Sequence, residues 1–161
     1  GKNKEMSLLT VDYEDVKMEI DGITYTFDLD PDDHTATLKD ISNPAEASEI
    51  EIPEQVTYDE DEAEDNEYTV TILRWGPFAG SRQNVSALMI PDTVEKCDVY
   101  FSRFSNLTEI TIPGSVRNLV VIFKIWTSLK LSPLKKVYRK FPVTLWSQIV
   151  LLWRPLIFRK V

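Results

Sequence analysis

The chain has 161 residues, enough for one domain or a short repeat array, and 43% are hydrophobic, which excludes a chain too polar to build a core. Its net charge of −8 is unevenly placed: the last carboxylate side chain is Glu109, and residues 110–161 hold ten Lys or Arg with no Asp or Glu. A single cysteine, Cys97, excludes an internal disulfide framework, and a single histidine, His34, argues against a histidine-rich metal site.

Residues 1–17 are polar and without a secure pattern, so they are read as a leader. No apolar stretch follows Gly1-Lys-Asn-Lys, so no signal peptide is expected. Residues 18–45 are read as an N-terminal β-hairpin cap. Met18-Glu-Ile20 and Ile23-Thr-Tyr25-Thr-Phe27-Asp-Leu29 alternate around Asp21-Gly22, a strong two-residue turn dipeptide. Asp30-Pro31-Asp32-Asp33 is turn chemistry, and a further strand is expected from His34 to Ile41, with Ala36 and Leu38 on one face. Asn43-Pro44 breaks it.

From residue 46 to residue 130 a pattern recurs. Its clearest copy is Leu107, Ile110, Ile112, Pro113 and Val116. Val85, Leu88, Ile90, Pro91 and Val94 repeat it, as do Ala47, Ile50, Ile52, Pro53 and Val56. Pro91 and Pro113 are 22 residues apart, whereas Pro53 and Pro91 are 38 apart. The surplus falls at 57–68, whose centre is almost continuously acidic and is expected to be a solvated loop bulging from one coil. Phe78, Phe101 and Phe123 precede the next copy's first apolar residue (Val85, Leu107, Leu129) by six or seven positions, and Cys97 and Leu119 take equivalent slots. A period near 22 is the signature of a solenoid, in which each coil buries its apolar edge by stacking on its neighbours.

Asn106-Leu107-Thr-Glu-Ile110-Thr-Ile112-Pro113-Gly114-Ser115-Val116, with Phe78-Ala79-Gly80-Ser81 and Tyr68-Thr69-Val70-Thr71 upstream, resembles the BspA-like leucine-rich repeats common in bacteria of the Bacteroides group. Residues 20–129 carry the resemblance, and the lead-in from Asp21 to Leu38 is similar to the hairpin cap that often precedes such arrays. The resemblance implies a β-rich, short right-handed leucine-rich-repeat solenoid, horseshoe-like, with an N-terminal hairpin cap. It also implies a secreted or cell-surface protein that binds other molecules in adhesion.

Downstream the pattern loses phase. Where a further Ile-x-Ile-Pro is due, Leu134, Val137 and Tyr138 could form a degenerate strand, and from Phe141 onward the apolar residues fit no repeat position. Residues 131–161 are thus a basic, aromatic-rich, divergent segment: a native cap, a truncated array or a frame-altered tail. Its longest apolar stretch, Pro142 to Trp153, spans twelve residues, short of the roughly 20 that cross a bilayer. A soluble chain without membrane insertion is expected.

Candidate sites are few. Asp28, Asp30, Asp32 and Asp33 supply the hard oxygens calcium prefers, but an EF-hand loop from Asp28 would need glycine and glutamate where Asp33 and Lys39 stand, so turn chemistry is favoured. Cys97 and His34 would form a nucleophile and base only if the fold joined them, and Cys97 instead occupies an inward repeat slot. No hydrolase elbow, phosphate-binding loop or dinucleotide fingerprint occurs. The basic, tryptophan-bearing tail could grip polyanions, which the acidic body opposes, so nucleic acid is not expected as a partner. The expectation is therefore a non-enzymatic binding module without metal or cofactor, taking a protein or glycan ligand through outward repeat positions Glu51, Met89, Thr108, Glu109 and Thr111. The alternative is a structural or assembly module that self-associates, as a homo-oligomer, through its open solenoid end and its hydrophobic C-terminal segment.

Overall fold

A computed structural model describes residues 11–42, 48–76, 84–100, 104, 106–122, 136–139 and 157–160. Among the described residues twelve strands run in order: β1 (Val16–Ile20), β2 (Ile23–Asp30), β3 (Thr35–Ser42), β4 (Glu49–Glu51), β5 (Gln55–Thr57), β6 (Glu67–Trp75), β7 (Ala87–Met89), β8 (Lys96–Tyr100), β9 (Glu109–Ile112), β10 (Asn118–Ile122), β11 (Lys136–Arg139) and β12 (Ile157–Lys160). They form two sheets. One has the order β1-β2-β3-β6-β8-β10, with β5 also on β6, and the other the order β12-β11-β9-β7-β4.

The N-terminal hairpin follows from its turn. Asp21 and Gly22 both take positive φ, 52° and 79°, and Ile20 pairs with Ile23, which is the two-residue connection whose twist matches the flanking strands. Along β2, Ile23, Tyr25, Phe27 and Leu29 are buried and the residues between them are not, as strict alternation requires. In β3, Ala36, Leu38 and Ile41 are buried, with a register shift between Thr26 and Phe27 of β2 taking up the change of phase.

The stretch read as a polar leader ends later in sequence than ordered structure begins. β1 starts at Val16, and Tyr13 accepts a backbone hydrogen bond from Leu29 N at 2.8 Å. Asp15 N donates to Asp28 Oδ1 at 2.9 Å, and Lys39 Nζ reaches Asp15 at 2.6 Å and Asp28 at 3.3 Å. Polar composition hid this because many of the ties are backbone bonds and ion pairs to β2 and β3, and only the scattered Val11, Tyr13 and Val16 pack on the core.

The repeat appears as two parallel ladders. In one, Ile50 stands opposite Leu88 and Leu88 opposite Ile110, all three buried. In the other, Leu73 stands opposite Cys97 and Cys97 opposite Leu119, the equivalence read from spacing. The proline is the crossing point between ladders. Ile52 N and Ile90 N still bond to the next coil, at Met89 O (3.1 Å) and Thr111 O (3.0 Å), and the following proline has no N–H to continue. The Pro91 and Pro113 carbonyls then accept Val94 N at 3.1 Å and Val116 N at 3.4 Å, closing four-residue turns that deliver Glu95 and Arg117 to the other ladder.

The surplus at 57–68 is not a simple loop. β5 pairs antiparallel with β6, Val56 opposite Tyr68, and Tyr58 N donates to Asn66 O at 2.9 Å, so the insertion is a strand-bounded hairpin. Residues 62–65 are exposed as expected, but Asp61 is 7% exposed. Val137 and Tyr138 do lie in a strand, β11, which pairs parallel with β9. Ile157 and Phe158, which fit no repeat position in sequence, lie in β12 on β11. Ala47, Phe78, Phe101, Phe123, Leu129, Leu134 and the breaking pair Asn43-Pro44 lie outside the described residues.

Candidate functional site

The short-strand ladder brings most of the expected outward residues together. Glu51 is in register with Met89, and Met89 with Thr111. Strands lie about 4.8 Å apart, so these three positions form a row about 10 Å long. Glu49, Ala87 and Glu109 make a parallel row two residues back, about 7 Å away. The intervening Ile50, Leu88 and Ile110 point into the core, which is why the six share the opposite face.

On this face Met89 is the large hydrophobic left exposed among the described residues, at 41%. Glu49 and Glu51 are exposed, and Ala87, Glu109 and Thr111 are half-buried. The result is a flexible thioether beside three carboxylates, able to adapt to an apolar group that carries positive charge nearby. The register continues to Lys136 opposite Glu109 and Tyr138 opposite Thr111.

Thr108 has a different place. It precedes β9, and its hydroxyl donates to Ser86 O at 3.1 Å while its N–H donates to the same oxygen at 2.8 Å. Ser86 bonds likewise to Ser48 O, through its hydroxyl at 3.0 Å and its N–H. Ser48, Ser86 and Thr108 thus tie consecutive coils. The Thr108 hydroxyl is engaged in that tie, which spacing alone does not reveal.

The other candidates are dispersed. Asp30 Oδ1 accepts Asp32 N at 3.0 Å and Asp33 N at 3.1 Å, an aspartate-stabilised turn, and Asp28 holds Asp15 N and Lys39. Among the described residues no group of three or more His, Cys, Asp or Glu is placed to hold a metal ion. Cys97 is 1% exposed and its thiol is pushed up to about 12, by burial first and Asp98 second. His34 bonds through its carbonyl to Thr69 N, whereas Cys97 is level with Leu73, four residues and about 13 Å further along β6. The fold does not join them as nucleophile and base.

One polar cluster escaped the sequence reading. Tyr68 OH donates to Asp61 Oδ2 at 2.8 Å, Ala63 N to Asp61 Oδ1 at 3.1 Å, and Tyr13 OH reaches Asp61 Oδ2 at 3.4 Å. These donors hold the Asp61 carboxyl below its ordinary value, Tyr68 foremost and Ala63 N–H next. The Tyr68 phenol is raised by burial and then by Asp61. Tyr13 packs edge-on to Tyr58 at 6.0 Å, and the His34 ring lies 5.4 Å from Tyr68. The cluster pins the acidic hairpin to the N-terminal sheet. A signal for it existed in the two tyrosines flanking the acidic run, at 58 and 68, whereas Tyr13 comes from far upstream.

No protein-family model and no curated protein matches the chain. Among solved structures it is similar to a leucine-rich repeat protein from Bacteroides ovatus ATCC 8483, at 24% identity with a TM-score of 0.45. The match covers 74% of this chain and 31% of that protein, so this chain spans about a third of the length of its neighbour.

Proposed function

We propose that this chain is a binding module that presents the outward face of the β4–β7–β9 ladder to a protein or glycan ligand, in adhesion at a cell surface. The observation that carries the reading is Met89, an exposed methionine held in register between Glu51 and Thr111 on a ladder whose other face is closed core. Such ladders allow their outward side chains to vary without disturbing the core, which suits them to recognition. The cell-surface setting is supported by the resemblance of the Ile110-Thr-Ile112-Pro113 motif to exported repeat proteins, as an analogy of fold.

The test is a panel of extracellular-matrix proteins and glycans, screened with the full chain and with Met89→Asp. A ligand should bind the parent chain and lose about tenfold or more in affinity with the variant, with an unchanged melting temperature. A panel that returns nothing, or a ligand indifferent to Met89→Asp, would overturn the reading. The second reading, end-to-end assembly, is favoured by one feature: β4 closes one ladder with a single neighbour among the described residues, an edge able to accept another strand. Sedimentation that stays monomeric across concentration counts against it.

A further inference from the structure

β1 closes one end of the larger sheet and β5 branches off β6 within it, and the two do not pair with each other. β1 bonds only to β2, and β5 only to β6, among the described residues. Yet Lys17–Ile20 of β1 and Gln55–Glu60 face one another across an open cleft of about 430 Å³. A second cleft of about 630 Å³ continues past the hairpin tip, between Ile20–Tyr25 and Ser48–Glu54, with Ile20 lining both. They meet at Ile20 as one seam, the first part along the edge of β1 and the second around the β1–β2 turn and the start of β2.

The seam offers backbone as well as side chains. Ile20 and Ile23 close a two-residue turn as a bonded pair, so alternate residues back along β1, Glu19 and Lys17, aim their N–H and C=O away from β2. On the other wall, Val70 N bonds Glu54 O and Tyr58 N bonds Asn66 O, which turns the backbone of Gln55 and Thr57 away from β6. Met18 and Ile20, half-buried, show apolar surface between these edges. The charge is one-sided: Asp21, Glu49, Glu51 and Glu54 line one cleft, and Glu19, Asp59 and Glu60 stand with Lys17 in the other.

We infer that this seam takes an extended, basic segment of a partner protein as an added strand on β1. An added strand satisfies the outward groups of Lys17 and Glu19, and its alternate side chains meet Met18 and Ile20 on one side and the carboxylates on the other. The pattern it selects is therefore alternating aliphatic and Lys or Arg. The same carboxylates set a second copy's β1 edge against like charge, which disfavours self-pairing.

The probe is a capped heptapeptide of alternating lysine and valine, titrated into the full chain by fluorescence anisotropy, with amide hydrogen exchange read by NMR. A glutamate–valine peptide serves as control. Expected are binding of the lysine peptide alone, slowed exchange at the Lys17 and Glu19 amides, and a loss of about tenfold or more in affinity for Glu19→Lys with Glu60→Lys. Glu19 and Glu60 are outside the Met89 row, but Glu51 belongs to both sites, so protection at the Lys17 and Glu19 amides is what makes failure here distinct from failure of the proposed function. Salt-sensitive binding without protection at Lys17 and Glu19 would overturn strand addition, as would no binding, equal binding of the glutamate peptide, or dimerisation that the peptide does not compete away.

Discussion

Ile110→Ala and Thr111→Ala, adjacent residues on β9, place the two faces of the ladder in direct contrast. Ile110 is fully buried and in register with buried Leu88. Truncation to alanine removes three carbons, about 2.4 kcal/mol at roughly 0.8 per methylene. The flanking strands cannot close the gap without breaking ladder bonds, so a residual cavity adds about 1 kcal/mol or more, for a total of about 3–4 kcal/mol, within the range of such core truncations. Thr111 faces outward and is half-buried, and Thr111→Ala should cost about 0.5 kcal/mol or less. Urea unfolding followed by circular dichroism measures both. With a slope of about 2 kcal/mol per molar, the Ile110→Ala midpoint falls by about 1.5–2 M while the slope is retained. Equal costs for the two variants, or a cost below about 1 kcal/mol for Ile110→Ala, would refute the facing assigned to this strand and with it the binding face.

Two further outcomes concern buried polar groups. The Asp61 carboxyl titrates below its ordinary 3.8, so its contribution to stability is complete above that pH and is lost as pH falls through the folded value. Tyr68→Phe removes the foremost donor and should move the Asp61 titration, followed by carboxyl carbon NMR, to higher pH; an unmoved titration would remove Tyr68 as the cause. Cys97, with its thiol raised to about 12, should resist iodoacetamide at pH 8 in the folded chain and react once urea unfolds it. Rapid labelling of the native chain would contradict its burial in the stack.

Much of the architecture was legible because it rests on local chemistry. Asp21-Gly22 dictates its own turn, alternation in Ile23–Leu29 dictates facing, and Ile-x-Ile-Pro carries a strand and its stop in four residues. The equivalence of Cys97 and Leu119 was legible too, since stacking turns a sequence period into a spatial neighbour. What stayed hidden depends on distant partners. Asp61 turns inward because Tyr13 and Tyr68 wait for it, one of them 48 residues away. Phe104, fully buried and stacked on Trp75 at 6.2 Å, carried no phase signal, whereas the phase pointed to Phe101. Thr108 looked like presented surface because its tie to Ser86 O crosses from one coil to the next. Of the five outward positions named from sequence, Glu51, Met89 and Thr111 share a row, Glu109 stands in the adjacent row and Thr108 is engaged elsewhere.

The acidic hairpin separates chain length from spatial period. Coils stack at one strand spacing whether 22 or 38 residues separate their prolines, because the extra segment leaves and returns beside β6. The stack registers only where the chain enters and exits. That corner therefore works as a socket: another hairpin of different length or charge at its exposed tip is compatible with the stack, provided it keeps the Val56–Tyr68 pair at its base and the ties of Tyr58 and Asp61 to the N-terminal sheet. New surface chemistry can be acquired at that position while the ladders keep count unchanged.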